Sequence, residues 1–182
     1  FMLVIFASCQ KEKKYLTEYV NPFIGTGGHG HTYPGASAPF GMVQLSPDSR
    51  LEGWDGCGGY HYSDSILYGF SHTHLSGTGV SDYGDVLLMP NTGKMLLSNG
   101  ANGDAGYSSK FSHKNETAKA GFYQVFLEDY DVNVELTTSQ RVGFHKYTFT
   151  KDDMAQVILD LEHRDKLLDH KIQILDSKSL QG

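Results

Sequence analysis

Apolar and polar positions alternate between residues 121 and 149. Val132, Val134 and Leu136 fall on one side, with Asn133, Glu135 and Thr137 on the other. Val142, Phe144, Lys146 and Thr148 alternate in the same way with Gly143, His145, Tyr147 and Phe149. A period of two with β-branched and aromatic side chains predicts half-buried strands. Residues 155–161 form a denser apolar run, which predicts a more deeply buried strand, and 170–175 predict another. Residues 41–46 and 85–89 predict two earlier strands, each ended by a proline, Pro47 and Pro90. Residues 98–120 are polar and contain glycine, so they predict a long surface excursion. No segment sustains a 3.6-residue apolar period, and no internal repeat is present. Many short strands separated by turn signals predict an all-β fold, an antiparallel β-sandwich.

The chain has 182 residues, enough for one domain with a buried core. No apolar run reaches the roughly 18 residues of a membrane-spanning helix. Net charge is −6, which argues against a nucleic-acid partner, because such binding rests on phosphate neutralisation by Lys and Arg. Residues 1–9 are apolar, end in Ala7-Ser8-Cys9, and give way at once to Gln10-Lys11-Glu12-Lys13-Lys14. That pattern is similar to a bacterial lipoprotein signal lacking its basic start, with Cys9 as the lipidated residue. The expected organisation is a truncated signal over 1–9, a polar tether over 10–19 and a sandwich domain over 20–182, whose last strands could lie beyond its end. An exported, lipid-anchored location follows, at the periplasmic or outer-membrane surface of a bacterium, with the membrane touched only through the anchor. The two cysteines then make no disulfide framework, and Cys57 is a lone thiol, either inert or part of a site.

Candidate chemistry concentrates in residues 21–84. This segment holds 14 of the 21 Gly, five of the nine His and nine of the 22 aromatics, but only one basic residue, Arg50, against five acidic ones. An anionic ligand would call for Arg or Lys. Aromatic rings, Asp and His on Gly-rich loops suit a sugar, whose C–H faces stack on rings and whose hydroxyls need donors and acceptors. The run from Gly25 to Gly30 fits G-x-G-x-x-G, but Pro34 and Pro39 follow and no helical period appears, so it is no dinucleotide fingerprint.

Two His-x-His pairs, His29/His31 and His72/His74, leave open a zinc hydrolase, with Asp55, Asp64, Asp82 and Asp85 as acidic candidates. Hydrogen-bonded loop networks without metal explain the same pairs. Trp54, the only Trp, stands among glycines, where it either packs on the sandwich end or walls a ligand; Asp55 either bonds hydroxyls or fixes the turn. A stand-alone carbohydrate-binding sandwich is a further reading of the same loops.

Longer motifs sharpen this. Val20-Asn-Pro-Phe-Ile-Gly-Thr-Gly27, the stretch 32–48 with its Pro-Phe-Gly-Met-Val-Gln-Leu-Ser-Pro-Asp48 end, Gly53-Trp-Asp55, Gly69-Phe-Ser-His-Thr-His-Leu-Ser-Gly-Thr-Gly79 and Leu159-Asp-Leu-Glu-His163 together resemble the N-terminal domain of glycoside hydrolase family 92, the α-mannosidases abundant in glycan-degrading Bacteroidetes. The resemblance implies a two-domain enzyme, a sandwich on a C-terminal (α/α)6 barrel that is missing here, with the active site between them. It implies a mannose-containing glycan as substrate, Ca²⁺ as cofactor, and inversion by an acid–base pair of carboxylates. In the family that pair and most of the calcium shell come from the C-terminal domain, so no catalytic residue and no metal ligand is assigned in this chain. The resemblance assigns a substrate-pocket role to the sandwich loops: Trp54 would stack on or wall the sugar, and Asp55, His72, His74, Ser76 and Gly77 would bond it or hold one another in place. Cys57 is less closely matched to the motif. Calcium prefers 6–8 oxygen ligands, which makes the His pairs poor candidates for it.

Overall fold

The computed structural model describes residues 14–151 and 154–182. The signal over 1–9, its Cys9 and the start of the tether lie outside the described residues. The strands are β1 (Ala36–Ser37), β2 (Gln44–Asp48), β3 (Ile66–Leu67), β4 (Gly69–Ser71), β5 (Leu87–Asn91), β6 (Ser109–Lys110), β7 (Glu116–Lys119), β8 (Phe122–Leu127), β9 (Val132–Thr138), β10 (Gly143–Phe149), β11 (Gln156–Asp160), β12 (Gln173–Ile174) and β13 (Leu180–Gln181). Helical structure among the described residues is limited to short 3-10 turns. One sheet has the order β1-β2-β4-β5-β11 and the other β10-β9-β8-β7; β3 pairs with β6, and β12 with β13. All pairings are antiparallel. The fold is the all-β sandwich that the alternation predicts.

The core lies between the two sheets. Leu45, Phe70, Leu87 and Met89 come from the five-stranded sheet; Tyr123, Val125, Leu127, Val132, Val134 and Leu136 come from the four-stranded one, and all are fully buried. The facing set matches the period-two reading of β8 and β9, since residues i and i+2 share a face. Burying each such side chain contributes about 1.5–3 kcal/mol. In β10 the inward positions are His145, Tyr147 and Phe149, opposite Leu136, Val134 and Val132.

Four strand-level expectations are corrected. Pro47 does not end a strand; it lies inside β2, opposite Phe70. The neighbouring residues Gln44 and Asp48 make their backbone bonds toward β4, from Gln44 N to His72 O and from Tyr68 N to Asp48 O. Pro47 therefore faces the other way, where β1 covers only Gln44 and Leu45, and its missing N–H breaks no ladder. Pro90 is likewise inside β5, opposite Val157. The 155–161 run is not deeply buried: β11 is the last strand of its sheet, and Val157 on its outer face is 47% exposed. Residues 170–175 yield only the two exposed residues of β12.

Residues 98–120 do not all run over the surface. Tyr107 and Phe111 are core residues, and β7 joins the four-stranded sheet. Glu116 at the start of β7 is a buried carboxylate that accepts from Tyr60 Oη at 3.0 Å, Tyr123 Oη at 2.6 Å and His113 Nδ1 at 2.6 Å. Those donors satisfy the charge that the polar sequence carries inward. Burial, followed by the Glu116 charge, raises the Tyr60 hydroxyl far above its usual value, so Tyr60 remains a donor.

Candidate functional site: a Trp-Asp-His ledge over a buried Asp-His cluster

Gly53 has φ +87°, a left-handed conformation that opens the short 3-10 turn Trp54–Gly56. The turn leaves Trp54 62% exposed. The Trp54 ring meets the His31 ring edge-on, with centroids 5.1 Å apart. Its six-membered ring lies on Gly79: a Cβ at position 79 would fall 2.2 Å from Trp54 Cη2. Only glycine lets the ring take that seat.

Asp55 faces the same ledge. His29 Nδ1 donates to Asp55 Oδ1 at 2.7 Å and His31 Nε2 donates to the same oxygen at 3.3 Å. The His29 hydrogen bond first, against a smaller burial effect and with His31 in support, holds the Asp55 carboxyl below the usual carboxylate range. Oδ2 takes no bond from the described residues and is free to accept. His31 O accepts from Gly77 N at 2.8 Å, which brings the exposed Ser76 and Gly77 beside the ledge. Cys57 is buried beneath the turn, its Sγ 2.8 Å from Trp54 O as donor.

Under the ledge sits a polar cluster. Asp48, at the end of β2, is fully buried. It accepts from Ser71 N at 3.2 Å, from Ser71 Oγ at 2.5 Å and from His74 Nε2 at 3.3 Å, and His163 Nε2 stands 3.6 Å away. Burial alone would raise this carboxyl, but His74 and His163 outweigh it and hold Asp48 ionised, far below the carboxylate range. His74 is 5% exposed and its Nδ1 donates to Gln44 O at 2.7 Å, so both of its nitrogens are engaged inside the protein.

His72 lies elsewhere. It lines an apolar groove of about 810 Å³ with Leu88, Val157 and Leu159. His72 Nδ1 donates to Val86 O at 2.6 Å. Its Nε2 is thereby left to accept from His145 Nε2 at 3.1 Å, and Tyr147 Oη donates to His145 Nδ1 at 2.7 Å. Gly143 makes room for this ring, since a Cβ there would meet His72 Cδ2 at 2.8 Å.

The structure thus gathers Trp54, Asp55, Ser76 and Gly77 on one ledge, sets His74 beneath it, and separates His72 from it. His29 and His31 join the ledge; the zinc reading singled them out, but not as sugar contacts. Sequence reasoning did not assign roles to Asp48 and His163, although both fall inside the quoted motifs, or to Arg164, which bonds the Trp54 turn. The first His-x-His pair converges on one Asp55 oxygen as donors, and the second pair splits between Val86 and Gln44. Among the described residues no three His, Cys, Asp or Glu side chains are disposed to hold a metal ion.

The comparisons with known proteins place this sandwich in a family. The family model described as "Glycosyl hydrolase family 92 N-terminal domain" matches residues 19–182. The chain belongs to glycosyl hydrolase family 92, in which it corresponds to the N-terminal domain. A family GH92 alpha-mannosidase of Bacteroides thetaiotaomicron, solved in complex with mannoimidazole, superposes with a TM-score of 0.79 at 46% identity, over 82% of this chain and 20% of that one. A family GH92 inverting mannosidase of the same bacterium gives a TM-score of 0.67 at 30% identity, over 81% of this chain and 20% of that one. An uncharacterized secreted glycosidase of Arthroderma benhamiae is 28% identical over 141 residues, 72% of this chain and 17% of that protein. The chain therefore spans about a fifth of the length of these solved relatives.

Proposed function

We propose that this chain contributes one wall of the substrate pocket of an exported, calcium-dependent, inverting α-mannosidase that acts on mannose-containing glycans. The observation that carries the reading is the pairing of the exposed Trp54 ring with the ionised Asp55 carboxylate on a family 92 sandwich. The ring offers an apolar face for the C–H side of a terminal mannose. Asp55 Oδ2 accepts from a sugar hydroxyl while His29 and His31 hold Oδ1, so the acceptor is aimed before the sugar arrives.

The bond-breaking groups are not drawn from these loops. Inversion needs an acid and a base about 6.5–9.5 Å apart with a water between them. The buried carboxylates Asp48 and Glu116 are consumed by internal donors and reach no such space. We assign the acid–base pair, and the calcium shell, to the remaining part of the full-length protein. The residues here do not fit calcium: no cluster of ligand side chains forms among those described, and the ion wants six to eight oxygens. Support for export comes from the secreted relative and from the lipoprotein-like residues ending at Cys9. Among the described residues no helix is long and apolar enough to cross a membrane.

The test compares aryl α-mannoside hydrolysis by the full-length protein with that by residues 10–182. Calcium-dependent hydrolysis by the full-length protein alone, weakened by Trp54→Ala and by Asp55→Asn, is expected. A well-folded full-length protein that cleaves no α-mannoside overturns the reading. Hydrolysis that ignores Trp54→Ala overturns the pocket-wall role.

A further inference from the structure

Arg164 lies on the segment that follows β11, next to His163. Its Nη2 donates to Arg50 O at 2.7 Å and to Gly56 O at 2.9 Å, and its Nη1 donates to Ser81 Oγ at 2.8 Å. Arg50 and Gly56 bracket the turn that holds Trp54 and Asp55. Ser81 closes the loop whose Gly79 backs the Trp54 ring. One planar cation therefore fastens both supports of a single aromatic side chain. The segment carrying it is itself aimed: Asp160 Oδ1 accepts from Glu162 N at 2.7 Å, Asp160 Oδ2 accepts from Tyr107 Oη, and His163 lies against Asp48.

We propose that Arg164 is a positioning residue of the sugar ledge, whose guanidinium locks the Trp54 turn to the 76–81 loop so that the Trp54 ring meets the sugar in one arrangement. The inference rests on the sugar-wall reading of Trp54. Arg164 Nε is buried and has no partner among the described residues. An unpaired buried N–H is costly, so stability alone would be better served by an apolar side chain. A fork of donors spanning two carbonyls and a hydroxyl is what a lysine cannot copy, being a single point donor.

The test is a double-mutant cycle on kcat/KM for an α-mannoside in the full-length protein. Trp54→Ala and Arg164→Met are each expected to lose about tenfold, the scale of a charge-assisted hydrogen-bond set. The double variant is expected to lose no more than Trp54→Ala alone, because Arg164 acts through the ring. Arg164→Lys is expected to recover part of the loss. Should Arg164→Met fail to fold, Ser81→Ala removes only the Nη1 bond, and its smaller loss is likewise expected to vanish in the Trp54→Ala background. Additive losses, or an Arg164→Met protein as active as its parent while Trp54→Ala is impaired, overturn the positioning role and leave the sugar ledge standing. Full activity in Trp54→Ala removes the ledge, and the inference with it.

Discussion

The Nε2 atoms of His72 and His145 lie 3.1 Å apart, and one proton serves both. With His72 Nδ1 committed to Val86 O, the order of donation runs from Tyr147 Oη through His145 to His72. Each ring is neutral in this chain. Burial first, then the facing His72, pushes His145 down to about 3; burial likewise lowers His72, against the opposing Val86 bond and with a smaller repulsion from His74.

These shifts set a pH dependence of stability. A histidine with a lowered folded pKa binds fewer protons folded than unfolded. Its contribution is complete above the unfolded value of 6.5 and is lost as pH falls from there toward about 3. Urea titrations are expected to show stability falling on acidification through that window, by up to about 1.4 kcal/mol per pH unit from His145, with His72 acting in the same direction. His145→Gln should flatten the slope. An equally steep slope in that variant would sink the assignment.

Asp48→Asn is expected to destabilise the fold by about 3–5 kcal/mol, since it strips the charge from a buried partner of His74 and His163. In the parent protein the Asp48 contribution has the opposite chemistry but the same pH direction. Its folded carboxyl is depressed, so its stability is present above the unfolded carboxylate value of about 3.9 and declines only below it. The histidine window thus precedes the aspartate window on acidification, and chemical denaturation at several pH values separates them.

Gly79→Ala tests the seat of Trp54. Residue 79 lacks a positive φ, so backbone strain is small, but the new methyl occupies the ring position. Because the ring is largely exposed, it is expected to swing away at a stability cost below about 1 kcal/mol. Calorimetry should find melting nearly unchanged while KM for an α-mannoside rises. A large loss of melting temperature with KM unchanged would contradict this seat for the ring.

His29→Gln tests the aiming of Asp55. The His29 bond is the leading cause of the lowered Asp55 carboxyl. Carboxyl NMR titration is expected to find Asp55 moved upward, toward its ordinary value, in the variant. An unmoved titration would show that His29 is a bystander.

The sandwich was legible wherever one face is buried and the other wet. In β9 the alternation names the core positions Val132, Val134 and Leu136 directly. It misled at Pro47, because whether a missing N–H matters depends on which neighbour the strand faces, a tertiary fact. It also misled at residues 98–120, where Glu116 goes inside with partners from as far away as Tyr60. Composition and motif located the ledge through Trp54 and Asp55. The split of His72 from His74 was hidden because residues 72–74 leave the strand after Ser71, so the shared-face rule no longer applies. Arg164 was hidden because its three acceptors include two backbone carbonyls, which carry no side-chain signature.

Cys57 is 2% exposed, with its sulfur tucked under the Trp54 carbonyl. A thiol reagent can reach it only when the overlying turn lifts. Alkylation kinetics at this one sulfur therefore clock how often the Trp54 turn unlatches, and slower labelling in the presence of a mannose analogue is the outcome that the proposed pocket-wall role expects.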